Sequence, residues 1–92
     1  MKQVILRINT DAGLHARPAA LFVEQTSQIS SEILIRNLTT KSDWVDGKSI
    51  LNVLTLGVEM HHEIELQIEG VDEQEAIEKL TTLIARGLDD HN

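Results

Sequence analysis

The run Gly13-Leu14-His15-Ala16-Arg17-Pro18-Ala19-Ala20 sets a histidine at the mouth of a helix, with a glycine two residues before it and an arginine two residues after. Each residue type has a physical job there. Gly13 lets the backbone bend in ways that other residues resist. Pro18 is tolerated in a first helical turn, where no intrahelical N–H bond is lost. The N–H groups left over in that turn, together with the helix dipole, make an anion site. A neutral imidazole is a nucleophile available near physiological pH, so His15 can attack an electrophile held at that site. Arg17 offers a planar fork of donors to phosphate oxygens. A nucleophilic ring, an anion cradle and a guanidinium together point to a phosphoryl group carried on histidine.

The elements that must position these residues follow from hydrophobic periodicity. Residues 2–8 alternate around Val4, Leu6 and Ile8, the pattern of a half-buried strand. Asp11-Ala12-Gly13 is a turn. Residues 16–28 carry Ala16, Ala19, Ala20, Phe22 and Val23 at helical spacing, with Glu24, Gln25 and Gln28 on a polar side. Residues 32–38 read as a second strand, Trp44-Val45 as a short third one, and Asp46-Gly47 as a turn. Ser49 is a good N-cap for a short apolar helix that Gly57 ends. Residues 63–69 alternate cleanly, with Ile64, Leu66 and Ile68 opposed to Glu63, Glu65, Gln67 and Glu69. Asp72 is placed to cap a last helix whose apolar face is Ala76, Ile77, Leu80, Leu83, Ile84 and Leu88; residues 89–92 are expected to fray. The order is βαββαβα. Polar outer faces on alternating strands suit an α+β fold, an antiparallel sheet covered by helices on one side.

The short helix after Ser49 carries more apolar surface than one buried face needs. At ~100° per residue, Ile50, Leu51 and Leu54 share one sector, while Val53 and Leu56 fall on another side. The first group is expected to be a docking patch. Ser49 on its own reads as an N-cap. It can also be a regulatory phosphorylation site, because a phosphate there would meet helix N–H groups and add about −2 charge without unfolding the chain.

Composition narrows the function classes. The 92 residues fit one domain, 1–92. A net charge of −7 argues against nucleic acid or anionic lipid as partners, and one Trp, one Phe and no Tyr leave no ladder for stacking bases. With no cysteine, neither a disulfide framework nor a thiolate metal site can hold the fold. His61 and His62 are adjacent before a strand and so point apart, which makes a poor chelate; no metal or cofactor is expected. The first seven residues are too short for a signal-peptide core and no segment is long enough to span a bilayer, so the expected location is cytoplasmic. The scattered carboxylates, Glu59 among them, read as a solvated surface, and Trp44 as a packing anchor on an edge strand.

The Gly13–Ala20 run resembles the phosphorylation-site motif of HPr, the histidine-containing phosphocarrier of bacterial sugar phosphotransferase systems. A second run, Lys48-Ser49-Ile50-Leu51-Asn52-Val53-Leu54-Thr55-Leu56-Gly57, resembles that family's regulatory-serine helix. The two runs occur in the family's order at nearly its spacing, and the resemblance covers essentially the whole chain. It implies an HPr-like open-faced β-sandwich, a four-stranded antiparallel sheet in the order first, fourth, second, third, with three helices on one face. It implies phosphorylation of His15 at Nδ1, with Arg17 assisting, and it raises the regulatory reading of Ser49. It implies docking through Ile50, Leu51, Leu54, Ala16 and Ala20. The partners implied are enzyme I as donor and enzyme II A domains as acceptors, and an HPr kinase/phosphorylase and a transcriptional regulator are admitted. The chain would be a monomeric carrier consumed stoichiometrically, not an enzyme. Three departures stand out against the family: Ala12 where a small polar residue is common, His61 where Gly often turns the chain, and about three extra residues around Thr39 to Asp43. They keep two alternatives open. One is a regulatory HPr-like paralogue acting by protein binding in catabolite repression; the other is an accessory carrier in a nitrogen-linked branch.

Overall fold

A computed structural model describes residues 1–88. Seven elements succeed one another: β1 (Lys2–Arg7), α1 (Ala16–Thr26), β2 (Glu32–Asn37), β3 (Val45–Asp46), α2 (Ile50–Thr55), β4 (Glu63–Glu69) and α3 (Glu73–Ala85). The strands form one sheet in the order β1-β4-β2-β3, with every neighbouring pair antiparallel. That is the α+β arrangement expected, with the helices on one face and the other face open.

Register explains which residues make the core. Val4 lies opposite Leu66, and Leu66 opposite Ile35, so one rung of the inner face is Val4–Leu66–Ile35. The next rungs bring Ile68 beside Ile33, and Ile64 beside Asn37. Because side chains alternate, the intervening rung Ile5–Glu65–Arg36 faces outward. There the Arg36 guanidinium bonds Glu65 Oε1, with Nη2 at 2.7 Å and Nε at 2.9 Å, and stacks 4.9 Å from the Trp44 ring centroid. Trp44 lies just before β3 and anchors the edge by that contact.

The helices close the inner face with Ala19 and Phe22 of α1, Val53 of α2, and Ala76, Leu80 and Ile84 of α3, all essentially inaccessible. Each large apolar side chain sequestered in this way contributes about 1.5–3 kcal/mol. Leu88, expected on the apolar face of the last helix, is buried beyond its end. Residues 89–92 lie outside the described residues.

Three local expectations need correction. Residues 27 and 28 do not extend α1, because Gln28 N–H turns to the carbonyl of Gln25, three residues back, and tightens the last turn. Ile8 and Leu38 fall just beyond their strands, although Ile8 keeps its place in the core. Asp72 occupies the N-cap position of α3 but does not cap it with its side chain. Its carboxylate instead accepts the N–H groups of Ser30 and Ser31, each at 2.9 Å, and the Ser31 hydroxyl. These bonds, that from the hydroxyl foremost, hold the Asp72 carboxyl below its ordinary value. Glu73 reaches back to accept Gly70 N–H at 3.0 Å, and that bond and the amino terminus lower its carboxyl too.

Candidate functional site

His15 is placed by a loop that continues the β1–β4 pairing and then crosses to the segment after α2. Ile8 N–H donates to the His62 carbonyl at 2.9 Å and His61 N–H returns to the Ile8 carbonyl at 2.7 Å. Gly13 takes φ +62° and bonds back to the Thr10 carbonyl; Leu14 N–H then donates to the Val58 carbonyl at 2.9 Å. A methyl group on Gly13 would collide with the Val58 carbonyl oxygen and lie 2.8 Å from Glu59 Cα. The glycine is therefore required twice, for its left-handed backbone and for this close approach. Leu14, fully buried, pins the loop to the core.

One residue later the chain presents His15 at the N-cap of α1, with extended dihedrals (φ −115°, ψ 158°) and no capping bond from its ring. Ala16 follows at φ +49°, a conformation costing an L-residue roughly 1–2 kcal/mol. Such strain next to a reactive side chain fits a functional site. The first turn of α1 then carries Arg17, exposed, beside an open depression of about 380 Å³ lined by Arg17, Ala20, Leu21 and Glu24.

The imidazole is not alone. His15 Nε2 lies 3.2 Å from Glu59 Oε2. For a neutral ring facing a carboxylate, this contact is a hydrogen bond only in the tautomer that carries its proton on Nε2 and keeps the Nδ1 lone pair. The His15 side chain is 39% exposed and that of Glu59 63%, so water screens the pair.

The segment that delivers Glu59 is held from below. Asn37, on an inner rung of the sheet and fully buried, donates from Nδ2 to the Leu56 carbonyl at 3.2 Å and to His62 Nδ1 at 3.1 Å. Its Oδ1 accepts from Thr40 N–H. His62 Nδ1 also accepts Glu59 N–H at 3.1 Å. With two N–H groups aimed at it, Nδ1 of His62 is an acceptor, and this ring serves as a strut. His61 is exposed and takes φ +76°, the turn conformation that suits Gly.

The α2 helix packs against α1. Ser49 is its N-cap, and the hydroxyl oxygen accepts Asn52 N–H at 3.2 Å. Leu51 is 72% exposed, with Ile50 and Leu54 also open to solvent, whereas Val53 and Leu56 are buried, the division expected from helical angles. Ala16 and Ala20 of α1 are exposed as well, so they do not belong to its buried stripe. Lys48, just before the cap, donates from Nζ to the Ile29 carbonyl at 2.6 Å.

The structure thus sets His15 at the N-cap of α1, Arg17 in its first turn and Ile50, Leu51 and Leu54 on the open side of α2. Glu59 is solvated, as the sequence suggested, but its contact with His15 was not anticipated. It lies 44 residues from His15 with no motif spacing to announce it. Asn37 and His62 were equally invisible; only the odd polar residue at the end of an apolar strand hinted at the first.

Comparison with known proteins agrees with this fold. Residues 2–86 match the family model described as the PTS HPr component phosphorylation site. A multiphosphoryl transfer protein of Haemophilus influenzae is 41% identical over 88% of the chain, which spans only 16% of that protein's length. The HPr-like protein Crh of Halalkalibacterium halodurans is 42% identical, over 92% of this chain and 95% of its own. A crystal structure of HPr-C-His from Thermoanaerobacter tengcongensis superposes with a TM-score of 0.90 at 40% identity, covering 100% of both chains. The chain belongs to the HPr family of phosphotransferase-system phosphocarrier proteins.

Proposed function

We propose that this chain, as one domain over residues 1–92, carries a phosphoryl group on His15. It takes the group from enzyme I, with phosphoenolpyruvate as ultimate source, and passes it to a histidine of an enzyme II A domain for sugar uptake. The observation that supports this most directly is the His15 ring at the N-cap of α1 with Nε2 3.2 Å from Glu59 Oε2, a contact that would engage Nε2 and leave Nδ1 as the nucleophile. Arg17 and the first-turn N–H groups would stabilise the phosphate charge. Ile50, Leu51 and Leu54, with Ala16 and Ala20, would form the surface on which donor and acceptor dock in turn. The chain is a stoichiometric carrier that works as a monomer in the cytoplasm. Incubation with enzyme I and phosphoenolpyruvate, followed by intact-mass measurement, should add one acid-labile phosphate. His15→Ala should abolish it while leaving the melting temperature unchanged. Undiminished labelling of that variant would overturn the assignment to His15.

A second reading, regulation through Ser49, is favoured by the similarity to Crh over nearly the full length of both chains. Ser49 caps α2 beside the exposed Ile50 and Leu51, so a phosphate there would alter the docking surface without breaking the core. A kinase of the HPr type and a transcriptional regulator would be its partners. Incorporation of phosphate at Ser49 by such a kinase, with binding of the product to a regulator, would support this reading. Retention of His15 favours the carrier.

A further inference from the structure

We infer that Glu59 is a positioning residue for His15, selecting the reactive nitrogen and holding the ring proton through each transfer; this rests on the carrier reading above. The carboxylate stands 3.2 Å from Nε2, and its main chain is fixed at two points. Its N–H is bound by His62, itself held by Asn37, and its Cα packs where Gly13 lacks a side chain. The contact therefore belongs to the backbone arrangement of the site and not to a chance meeting of two surface side chains.

The chemistry needs such a group. In the forward step the Nδ1 lone pair of His15 forms a bond to phosphorus while the bond from phosphorus to the donor's nitrogen breaks. The electron pair of that bond leaves with the donor ring. The His15 ring then carries the positive charge of an N-phosphoimidazolium, with the proton still on Nε2 and the Glu59 carboxylate facing it. In the onward step a ring nitrogen of the acceptor histidine forms its bond to phosphorus while the Nδ1–P bond breaks, its pair returns to His15, and the ring departs as a neutral imidazole because Nε2 has kept its proton. Without that proton the leaving group would be an imidazolate, which is far more basic. Glu59 thus serves acceptance and delivery alike, as the buried carboxylate of a hydrolase triad orients its histidine. Exposure keeps the effect modest, on the scale of a screened charge pair.

The test uses the full chain and the variants Glu59→Ala and Glu59→Gln. Nitrogen-15 NMR of the His15 ring, recorded at a pH where imidazoles are neutral, reports the tautomer without any donor. The wild type should show protonated Nε2 and unprotonated Nδ1; Glu59→Ala should shift toward a mixture, and Glu59→Gln should lie closer to wild type because its amide oxygen still accepts. Transfer from phosphorylated enzyme I should slow about threefold to fivefold in kcat for Glu59→Ala, with little change in KM and in melting temperature. Identical ring spectra in wild type and Glu59→Ala would overturn the inference, as would a defect confined to a raised KM. If wild type itself takes no phosphate from enzyme I, the carrier reading fails, while the ring spectra still decide whether Glu59 sets the tautomer.

Discussion

Gly13 and Gly57 form a natural control for the close approach that builds this site. Their backbones are nearly alike, φ +62° and +58°, but a methyl group on Gly57 would meet nothing within 4 Å, whereas one on Gly13 strikes the Val58 carbonyl. Alanine at either position bears the left-handed penalty of roughly 1–2 kcal/mol, reduced by ~0.4–1 kcal/mol because the unfolded chain loses freedom. Gly57→Ala should therefore cost about 1 kcal/mol. Gly13→Ala must also push residues 13 and 14 away from 58 and 59. That breaks the Leu14–Val58 hydrogen bond, ~0.5–1.5 kcal/mol, and unseats Leu14 from a fully buried position, bringing the total to about 3 kcal/mol. In a domain of this size, ~4–8 °C per kcal/mol gives losses in Tm of about 4–8 °C for Gly57→Ala and about 12–24 °C for Gly13→Ala. Differential scanning calorimetry measures both. Below its transition, Gly13→Ala should also label more slowly at His15, because Glu59 no longer meets the ring, while Gly57→Ala labels normally. Equal losses of Tm in the two variants would refute the close-approach account.

Leu51→Glu should weaken binding to enzyme I at least several-fold with little change in Tm, since the side chain is mostly in solvent; a large fall in Tm with intact binding would remove Leu51 from the docking surface. Ser49→Asp should slow labelling at His15 without unfolding, and authentic phosphoserine should slow it more because it carries more charge; unchanged rates with phosphoserine would leave Ser49 as a helix cap. Asn37→Ala should cost about 2–4 kcal/mol by urea unfolding, because the Leu56 carbonyl loses its donor and a cavity opens in the inner face. Asp72 and Glu73 have folded pKa values below their ordinary 3.8 and 4.5, so their stabilisation is complete above those values and disappears as pH falls through the folded ones. Asp72→Asn should accordingly lower Tm at pH 7 and flatten its decline below about pH 4; parallel Tm–pH curves would contradict the linkage.

The strands and helices were legible because their apolar residues repeat at the two periods that a half-buried sheet and an amphipathic helix impose. Ile64, Leu66 and Ile68 announced β4 by alternation alone, and the angular split of α2 separated Val53 from Leu51 before any coordinates. His15 was legible because its neighbours carry local chemistry: a turn, a helix start and a guanidinium within a few residues. Glu59 was not, since its role comes from a crossing between the β1–α1 loop and the turn after α2, and a tertiary crossing leaves no period in the chain. Asp72 shows the same limit. Its type and place fit a cap, but a better set of donors, the Ser30–Ser31 pair, reaches it from 42 and 41 residues away. The left-handed Ala16 was unreadable for another reason, because alanine signals no such backbone, whereas His61 was marked by the glycine that the family often has there.

The chain packs into a slab of 33 × 32 × 20 Å, one sheet under one layer of helices. Leu14, one residue earlier, is fully buried in that slab, but His15 sits on its surface with 39% of its side chain open. A phosphoryl group borne there would travel in contact with water. Its lifetime between partners would be set by the chemistry of the N–P bond and not by shelter. Exclusion of solvent from the transfer step must then come from the wall that each partner lays over the slab. The exposure that would leave such a cargo unprotected would also leave the ring open to partners of unlike shape.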